Sequence, residues 1–185
     1  MTTRDLTLVA LFAGLVAALG LTPPITLAFV PVPITLQTFG VMLAGLVIGP
    51  KRAALACMLV IVLVAAGIAQ LPGGRTGIGL FSGPTVGYLL GWVPAAFVTG
   101  FVAQRLDRPE APQWQRIAGC AAAAIAGGVV VEYACGIPAL GFVTSMGLVK
   151  AATVSMAFVP GDIAKAIVAA VVTVAVQRAH PIERV

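Results

Sequence analysis

The sequence predicts an all-α integral membrane protein, a compact bundle of six transmembrane helices with both termini in the cytoplasm. Three observations predict it: an apolar composition, six apolar stretches, and cations that fall between alternate stretches. Of the 185 residues, 60% are hydrophobic and only 9% are charged, and the mean hydropathy is +1.08. Soluble domains carry about 25% charged residues, and a soluble core of this size cannot hide so much apolar surface. We expect one membrane-embedded, substrate-binding domain over 1–185.

The six apolar stretches are separated by breaks rich in glycine and proline. A span needs roughly 17–25 residues, so the shorter stretches are judged together with their flanks. The expected spans are 6–21, 34–48, 53–69, 84–102, 117–131 and 161–176. The segment 135–159 is apolar but contains Gly136, Pro138, Gly141 and Gly147. Because these residues break regular structure, we expect a long loop with a short interfacial helix at 146–158.

The cations alternate between the two sides of the predicted bundle. Eight of the eleven lysines and arginines fall on one side, and Arg75, Lys150 and Lys165 fall on the other. By the positive-inside rule the eight are cytoplasmic, which predicts a multi-pass protein of the inner (cytoplasmic) membrane. The net charge of +5 therefore reports topology and not nucleic-acid binding. A signal-peptide interpretation of residues 1–20 is disfavoured, since cleavage would leave an odd number of spans.

The residue types also exclude several kinds of site. His180 is the only histidine and lies in the polar C-terminal tail, and the three cysteines lack metal-ligand spacing. We therefore predict no metal and no cofactor. The glycine-rich loop 71–83 lacks the lysine of a phosphate-binding loop, so we interpret it as a gate over a pocket. No nucleophile, histidine and acid constellation is present, so we do not expect an enzyme.

Asp162 and Lys165 are the most informative polar residues of the chain. They lie three residues apart at the start of the last span, so their side chains share one helix face. Ionisable residues inside a membrane are costly and point to function. An ionised aspartate only accepts hydrogen bonds and a lysine only donates them, which suits a ligand such as a urea or amide. The alternative is a mutual ion pair that starts the helix.

The predicted topology collects further polar residues on the outer side, where a mostly apolar pocket would open. A few converging polar groups in an apolar pocket are typical of small-molecule sites. Other interpretations are open: Glu132 can reach the interface, Tyr88 and Tyr133 can be interfacial belt residues, and Gln37 can bond a neighbouring helix. The candidate ligand contacts are Thr35, Gln37, Arg75, Thr85, Tyr88, Glu132, Tyr133, Asp162 and Lys165.

Small residues recur at helical spacing along the first predicted span, at Ala10, Gly14 and Ala18. Such residues let helices approach closely in lipid. They serve either packing within this bundle or docking of another membrane protein, and spacing does not distinguish the two.

Three motifs in order along the chain closely resemble the biotin-transporter substrate-binding subunits of the BioY family. The motifs are VPVPITLQTFGVMLAG at 30–45, SGPTVGYLLG at 82–91 and FVPGDIAK at 158–165. The resemblance covers nearly the whole chain. It implies the six-helix S component of an energy-coupling factor transporter, an ABC-type system, which captures biotin from outside with high affinity for import.

The resemblance also implies roles for particular residues. Asp162 and Lys165 would recognise the ureido ring, and the first two motifs would line the pocket. The face of Ala10, Gly14 and Ala18 would dock onto a transmembrane coupling subunit that is driven by two ATPase subunits, with membrane lipid around the bundle. The main alternative is a proton-coupled secondary carrier of a small vitamin-like solute that titrates Glu132 or Asp162, and the third is an intramembrane enzyme.

Overall fold

The computed structural model describes residues 1–26 and 31–184. Over these residues the regular secondary structure is helical, apart from two isolated β-bridges, Ile25–Ile34 and Leu71–Arg75. Positions 27–30, which include the first residue of the 30–45 motif, and position 185 lie outside the described residues. The α-helices are α1 (Thr3–Leu19), α2 (Gln37–Ile48), α3 (Pro50–Ala65), α4 (Val86–Leu106), α5 (Gln113–Ile125), α6 (Glu132–Val143), α7 (Leu148–Ser155) and α8 (Val159–Ala179).

The predicted all-α class is confirmed, and three helical stretches are long and apolar enough to cross a membrane. These are Val86–Leu106, Gln113–Val143 and Leu148–Ala179. The first three helices are shorter, with 17, 12 and 16 residues.

The expectation of a long loop over 135–159 is wrong in its first half. The helix that begins at Gln113 continues through a π-helical turn, Ala126–Val131, and ends only at Val143. Glycine and proline are tolerated in membrane helices because neighbouring helices satisfy the backbone groups that they free. Gly136 marks a close helix contact, since a Cβ there would lie 2.5 Å from Cζ of Tyr88. In the second half, the short helix expected at 146–158 is present as α7, followed by a 3₁₀ turn.

The outward faces of the helices are apolar, as a lipid environment requires. On α3 and α8 the exposed large side chains recur at helical spacing and form continuous apolar ridges. In water, ridges of this kind would form a patch prone to association. The exposed residues are Leu55, Met58, Leu59 and Val62 on α3, and Ile163, Ile167, Val168 and Val171 on α8.

Helix α4 lies at the centre of the bundle and packs against α2, α3, α5 and α6. Glycines on the neighbouring helices permit a close approach to Thr99 of α4. A Cβ on Gly45 of α2 would lie 2.7 Å from Cβ of Thr99, and one on Gly127 of the π-helical turn would overlap its hydroxyl. These three segments therefore meet through small residues, as membrane helices commonly do.

The C-terminal tail is fixed at the end of the bundle where α2 meets α3. Pro50 has no N–H, so the carbonyl of Leu46, four residues earlier, lacks its helical donor. Arg184 Nε donates to that carbonyl at 2.6 Å, and Arg184 Nη2 donates to Asp107 Oδ2 at 2.7 Å. Asp107 also accepts from Arg116 Nε of α5 at 2.7 Å. One buried carboxylate thus connects the end of α4, the start of α5 and the tail.

Replacing this carboxylate should destabilise the protein, because Asp107→Asn leaves the buried guanidinium of Arg116 and the partly buried one of Arg184 without their anion. Losing hydrogen bonds to charged groups costs roughly 1.5–3 kcal/mol. For a chain of this size that corresponds to a fall of about 3–12 °C in the midpoint of thermal unfolding. The measurement is thermal unfolding in detergent micelles, and the matched control is Glu110→Gln, which changes an exposed carboxylate three residues away.

The same comparison has a pH dependence. Although burial opposes ionisation of Asp107, the guanidinium groups of Arg116 and Arg184 hold its pKa below the ordinary value. Its contribution to stability is therefore complete above the unfolded-state pKa of about 4 and is lost as the pH falls through the lower folded-state pKa. The difference between wild type and Asp107→Asn should shrink in acid. Equal midpoints at neutral pH would contradict the structural role.

Candidate ligand-binding site

One pocket gathers the residues that the sequence singled out. It lies between the segment before α2, the loop that follows α3, and the first turns of α4, α6 and α8. All nine candidate ligand contacts line it. The rest of its wall is mostly apolar and consists of Val32, Pro33, Ile34, Leu71, Pro72, Leu89, Trp92 and Phe158, with Thr38 as a further polar residue. The structure therefore brings the predicted residues together, and their contact with a ligand stays a prediction.

Lys165 and Asp162 form a buried ion pair on the first turns of α8. Lys165 Nζ lies 2.8 Å from Asp162 Oδ1, 2.6 Å from the carbonyl oxygen of Thr35 and 2.9 Å from Thr38 Oγ1. An ammonium group has three hydrogens, so three acceptors satisfy it. The mutual ion pair that the spacing left open is the arrangement in this structure, in which each N–H of Lys165 has an acceptor within the protein.

Asp162 retains some capacity to accept hydrogen bonds. Its Oδ2 accepts the hydroxyl of Tyr133 at 2.6 Å. Since each carboxylate oxygen can accept two hydrogen bonds, Oδ2 can take one more from a ligand in the pocket. The position of Asp162 also follows from local sequence, because Pro160 is favoured at the start of a helix and an acidic residue in the first turn complements the helix dipole.

Glu132 lies inside the wall of the pocket and not at the interface. Its side chain is 2% exposed, and its Oε2 has no hydrogen-bond partner in the part of the chain that the structure describes. Glu132 directly follows the π-helical turn, where π geometry changes the direction of the residues that come after it. The interpretation of Glu132 as an end-of-helix residue is wrong, since the helix continues for another eleven residues beyond it.

Tyr88 and Tyr133 are both buried, so neither is a belt residue. The Tyr88 hydroxyl lies 2.7 Å from Ser155 Oγ of α7. The Tyr88 ring packs edge-on against Tyr133 and Phe158, with centroids 6.1 and 6.2 Å apart. Tyr88 therefore offers its ring to the pocket, while its hydroxyl holds α7 against the bundle.

Thr85 and Arg75 come from segments outside the helices of the bundle. Thr85 precedes α4, and its Oγ1 is buried without a partner in residues 1–26 and 31–184. Arg75 belongs to a tight turn that is closed by a bond of 2.7 Å from the Leu71 N–H to the Arg75 carbonyl. Its side chain is only half-buried, and its Nε lies 3.4 Å from the carbonyl of Pro72. Arg75 thus provides a cation at the edge of the pocket.

Thr38 lines the pocket beside the ion pair and was not among the residues expected from the sequence. It donates to Asp162 Oδ1 at 3.4 Å and accepts from Lys165, so it completes the shell of the ion pair. The available signal was its spacing: Thr35 and Thr38 are three residues apart and lie on one face of the turn that opens α2.

The small residues of α1 face away from the bundle. Ala10, Gly14 and Ala18 are exposed, and no atom of the described residues lies within 4 Å of a Cβ built on Gly14. The buried stripe of the helix is a different one, formed by Val9, Phe12, Ala13 and Val16. Of the two interpretations that the spacing left open, packing within this bundle is therefore wrong.

Comparisons with known proteins agree along the whole chain. The family model of the BioY family matches residues 1–182. A biotin transporter BioY of Rhizobium etli is 49% identical over 98% of this chain and 97% of its own length. Another from Rhodobacter capsulatus is 46% identical over 96% of this chain and 95% of its own length.

A solved structure has the same fold. The crystal structure of the S-component for biotin from an ECF-type ABC transporter matches with a TM-score of 0.88 and 30% sequence identity, covering 96% of this chain and 95% of the other. The fold, the family model and the relatives each extend over nearly the full length. As its three motifs indicated, this protein belongs to the BioY family.

Proposed function

We propose that this protein captures biotin with high affinity from outside the cell and serves its import as the substrate-specificity subunit of an energy-coupling factor transporter. The observation that carries the proposal is the convergence of nine polar and aromatic residues on one apolar-walled pocket around the Asp162–Lys165 pair. The relatives that are named biotin transporters, and the solved S-component for biotin with the same fold, support the choice of substrate.

The pocket suits the two chemical parts of biotin. The ureido ring carries N–H donors, and the free acceptor capacity of Asp162 Oδ2 can receive one of them. The thiophane ring and the alkyl chain are apolar and match walls such as Leu89, Trp92 and Phe158. The ligand carboxylate would lie towards Arg75, the half-buried cation at the edge of the pocket.

The proposed arrangement in the membrane has six spans with both termini in the cytoplasm. The spans are α1, α2, α3, α4, the continuous α5–α6 helix and α8, and α7 lies near the outer surface. The end with Asp107, Arg116 and Arg184 would face the cytoplasm, in line with the positive-inside rule. The exposed apolar ridges would contact lipid of the cytoplasmic membrane.

The exposed face of Ala10, Gly14 and Ala18 would dock onto a transmembrane coupling subunit driven by two ATPase subunits. Small outward-facing residues allow another membrane helix to approach closely. The face is continuous along α1 and no other helix of the bundle covers it, which supports its use by a partner.

A proton-coupled carrier is the second candidate function. The specific observation in its favour is Glu132, a buried carboxyl group with an unpaired oxygen inside the pocket. Such a group can serve as a proton site in a transporter. Membership of the BioY family favours the first candidate.

Asp162→Asn should weaken biotin binding, because one acceptor oxygen becomes an N–H₂ donor facing the Tyr133 hydroxyl and the ligand. A buried mismatch of this kind costs about 1–3 kcal/mol, which corresponds to a rise of roughly 5- to 150-fold in Kd. The measurement is calorimetric titration of the purified, folded variant with biotin. Asp5→Asn is the matched control, since Asp5 pairs with Arg52 away from the pocket. Wild-type affinity for Asp162→Asn would overturn the proposed role of the carboxylate.

Gly14→Leu should separate binding from transport. The added side chain projects into open space, so biotin affinity of the purified chain should stay at the wild-type value. Uptake by proteoliposomes that contain the coupling and ATPase subunits and internal ATP should fall severalfold, because the bulky side chain keeps the partner helix away. The matched control is Ala175→Leu, at an exposed small residue of α8.

Two outcomes of that experiment would count against the proposal. Unchanged uptake by Gly14→Leu would contradict docking through α1. Uptake by the wild-type chain without partner subunits, driven by an imposed proton gradient, would favour the carrier.

A further inference from the structure

Gln37, the first residue of α2, is a buried amide whose orientation is fixed by the neighbouring helix. Its side chain is 1% exposed and lines the pocket. Its Nε2 donates to the carbonyl oxygen of Val16 in α1 at 3.2 Å. No residue of α1 lines the pocket, so the nitrogen of the amide is turned away from it.

The end of α1 explains why this donor is needed. In a regular helix the N–H of Gly20 would bond to the carbonyl of Val16, four residues earlier. Here the last turn tightens, and the Gly20 N–H bonds to the carbonyl of Ala17 at 3.0 Å. The carbonyl of Val16 is thereby left to Gln37. Turning the amide over would bring two carbonyl oxygens together, so only one orientation satisfies both groups.

Gly20 also provides the room in which the amide sits. A Cβ at this position would lie 2.7 Å from Gln37 Nε2. The same Cβ would lie even closer to the backbone carbonyl oxygen of Gln70, so any larger residue at position 20 would crowd both the amide and that backbone. By contrast, Gly14 on the same helix faces open space, which makes it a matched control.

The consequence is an acceptor in the pocket that has no donor. Gln37 Oε1 is buried and has no hydrogen-bond partner among the described residues. A carbonyl oxygen only accepts hydrogen bonds, and a buried polar group without a partner calls for an explanation such as a bound ligand. The nearby cation does not supply a donor, because three acceptors already satisfy the ammonium group of Lys165.

We propose that Gln37 determines specificity in this pocket: its Oε1 accepts one N–H of the ligand and so selects a ring that carries a donor at that point. The proposal rests on the proposed capture of biotin, whose ureido ring has two N–H groups. Asp162 Oδ2 receives one of them and Gln37 Oε1 receives the other. A ligand with an acceptor or an alkylated nitrogen at that point is rejected, because it leaves Oε1 buried and unpaired.

The test compares three proteins with three ligands. The Kd values of wild type, Gln37→Met and Asp162→Asn are measured by calorimetry for biotin and for the two biotin analogues that are methylated on one or the other ureido nitrogen. Gln37→Met should weaken biotin binding roughly 5- to 150-fold. Relative to biotin, one of the two analogues should bind wild type more weakly by a factor similar to that of the Gln37→Met substitution. The same analogue should bind Gln37→Met almost as well as biotin does. Asp162→Asn should keep the full penalty for that same analogue.

A second pair of variants keeps every polar group and tests the fixed orientation. Gly20→Ala should weaken biotin binding, because the new methyl group crowds the amide of Gln37 as well as the carbonyl of Gln70, whereas Gly14→Ala should bind biotin as wild type does. If Gln37→Met does not fold, the two methylated analogues are measured with this pair, and a smaller methylation penalty for one analogue in Gly20→Ala supports the fixed acceptor.

The outcomes separate the inference from the function on which it rests. If wild type binds biotin but both methylations cost the same in wild type and Gln37→Met, the role of Gln37 is refuted. Binding of both methylated analogues to wild type as tightly as biotin would likewise refute the fixed acceptor. If the wild-type chain does not bind biotin at all, the proposed function itself fails.

Discussion

The buried ion pair between Asp162 and Lys165 is the interaction on which the pocket depends. In the core of a bilayer, a charged or polar group must form its hydrogen bonds within the protein, since no water is present to form them. Lys165 meets this requirement by bonding to the segment that leads into α2, and Asp162 meets it by bonding to Tyr133 of α6. The pair therefore holds α2, α6 and α8 around one cavity. Its charges are satisfied before any ligand arrives.

The two ends of the bundle differ in how completely their buried polar groups are hydrogen-bonded. At the end with the C-terminal tail, Asp107 accepts from two arginines, and Arg184 also satisfies the carbonyl that Pro50 leaves without a donor. At the pocket end, Gln37 Oε1, Thr85 Oγ1 and Glu132 Oε2 are buried without partners. Among the described residues, Thr99 Oγ1 and Thr173 Oγ1 are also buried without partners but lie outside the pocket. Unpaired buried groups are costly, so the three around the cavity support the proposed ligand site. The end with the tail stabilises the fold, and the pocket end carries the proposed binding site.

Much of this arrangement could be predicted from the sequence. The helical class follows from composition and hydropathy, and the position of Asp162 and Lys165 on one face follows from their spacing of three. The polar residues converge because alternate connections of a helical bundle meet at the same end. All nine candidates line the pocket for that reason.

Other features depend on tertiary contacts that no local pattern reveals. The helix over Gln113–Val143 continues through Gly136 and Pro138. It can do so because neighbouring helices pack closely against it and no water competes for its backbone hydrogen bonds. Thr38 completes the ion pair only because α2 and α8 are adjacent. Likewise, the orientation of the Gln37 amide depends on the tight last turn of α1. That Ala10, Gly14 and Ala18 face outward could not be read from spacing, since small residues suit inner and outer faces equally.

Capture of biotin by this chain is tested most directly by titrating it with biotin in a calorimeter. The purified wild-type chain is used in detergent, without partner subunits. Because the pocket has buried acceptors that suit a ureido ring, we expect saturable binding of one biotin per chain with a submicromolar Kd. Absence of saturable binding by a folded chain would contradict biotin capture by this protein.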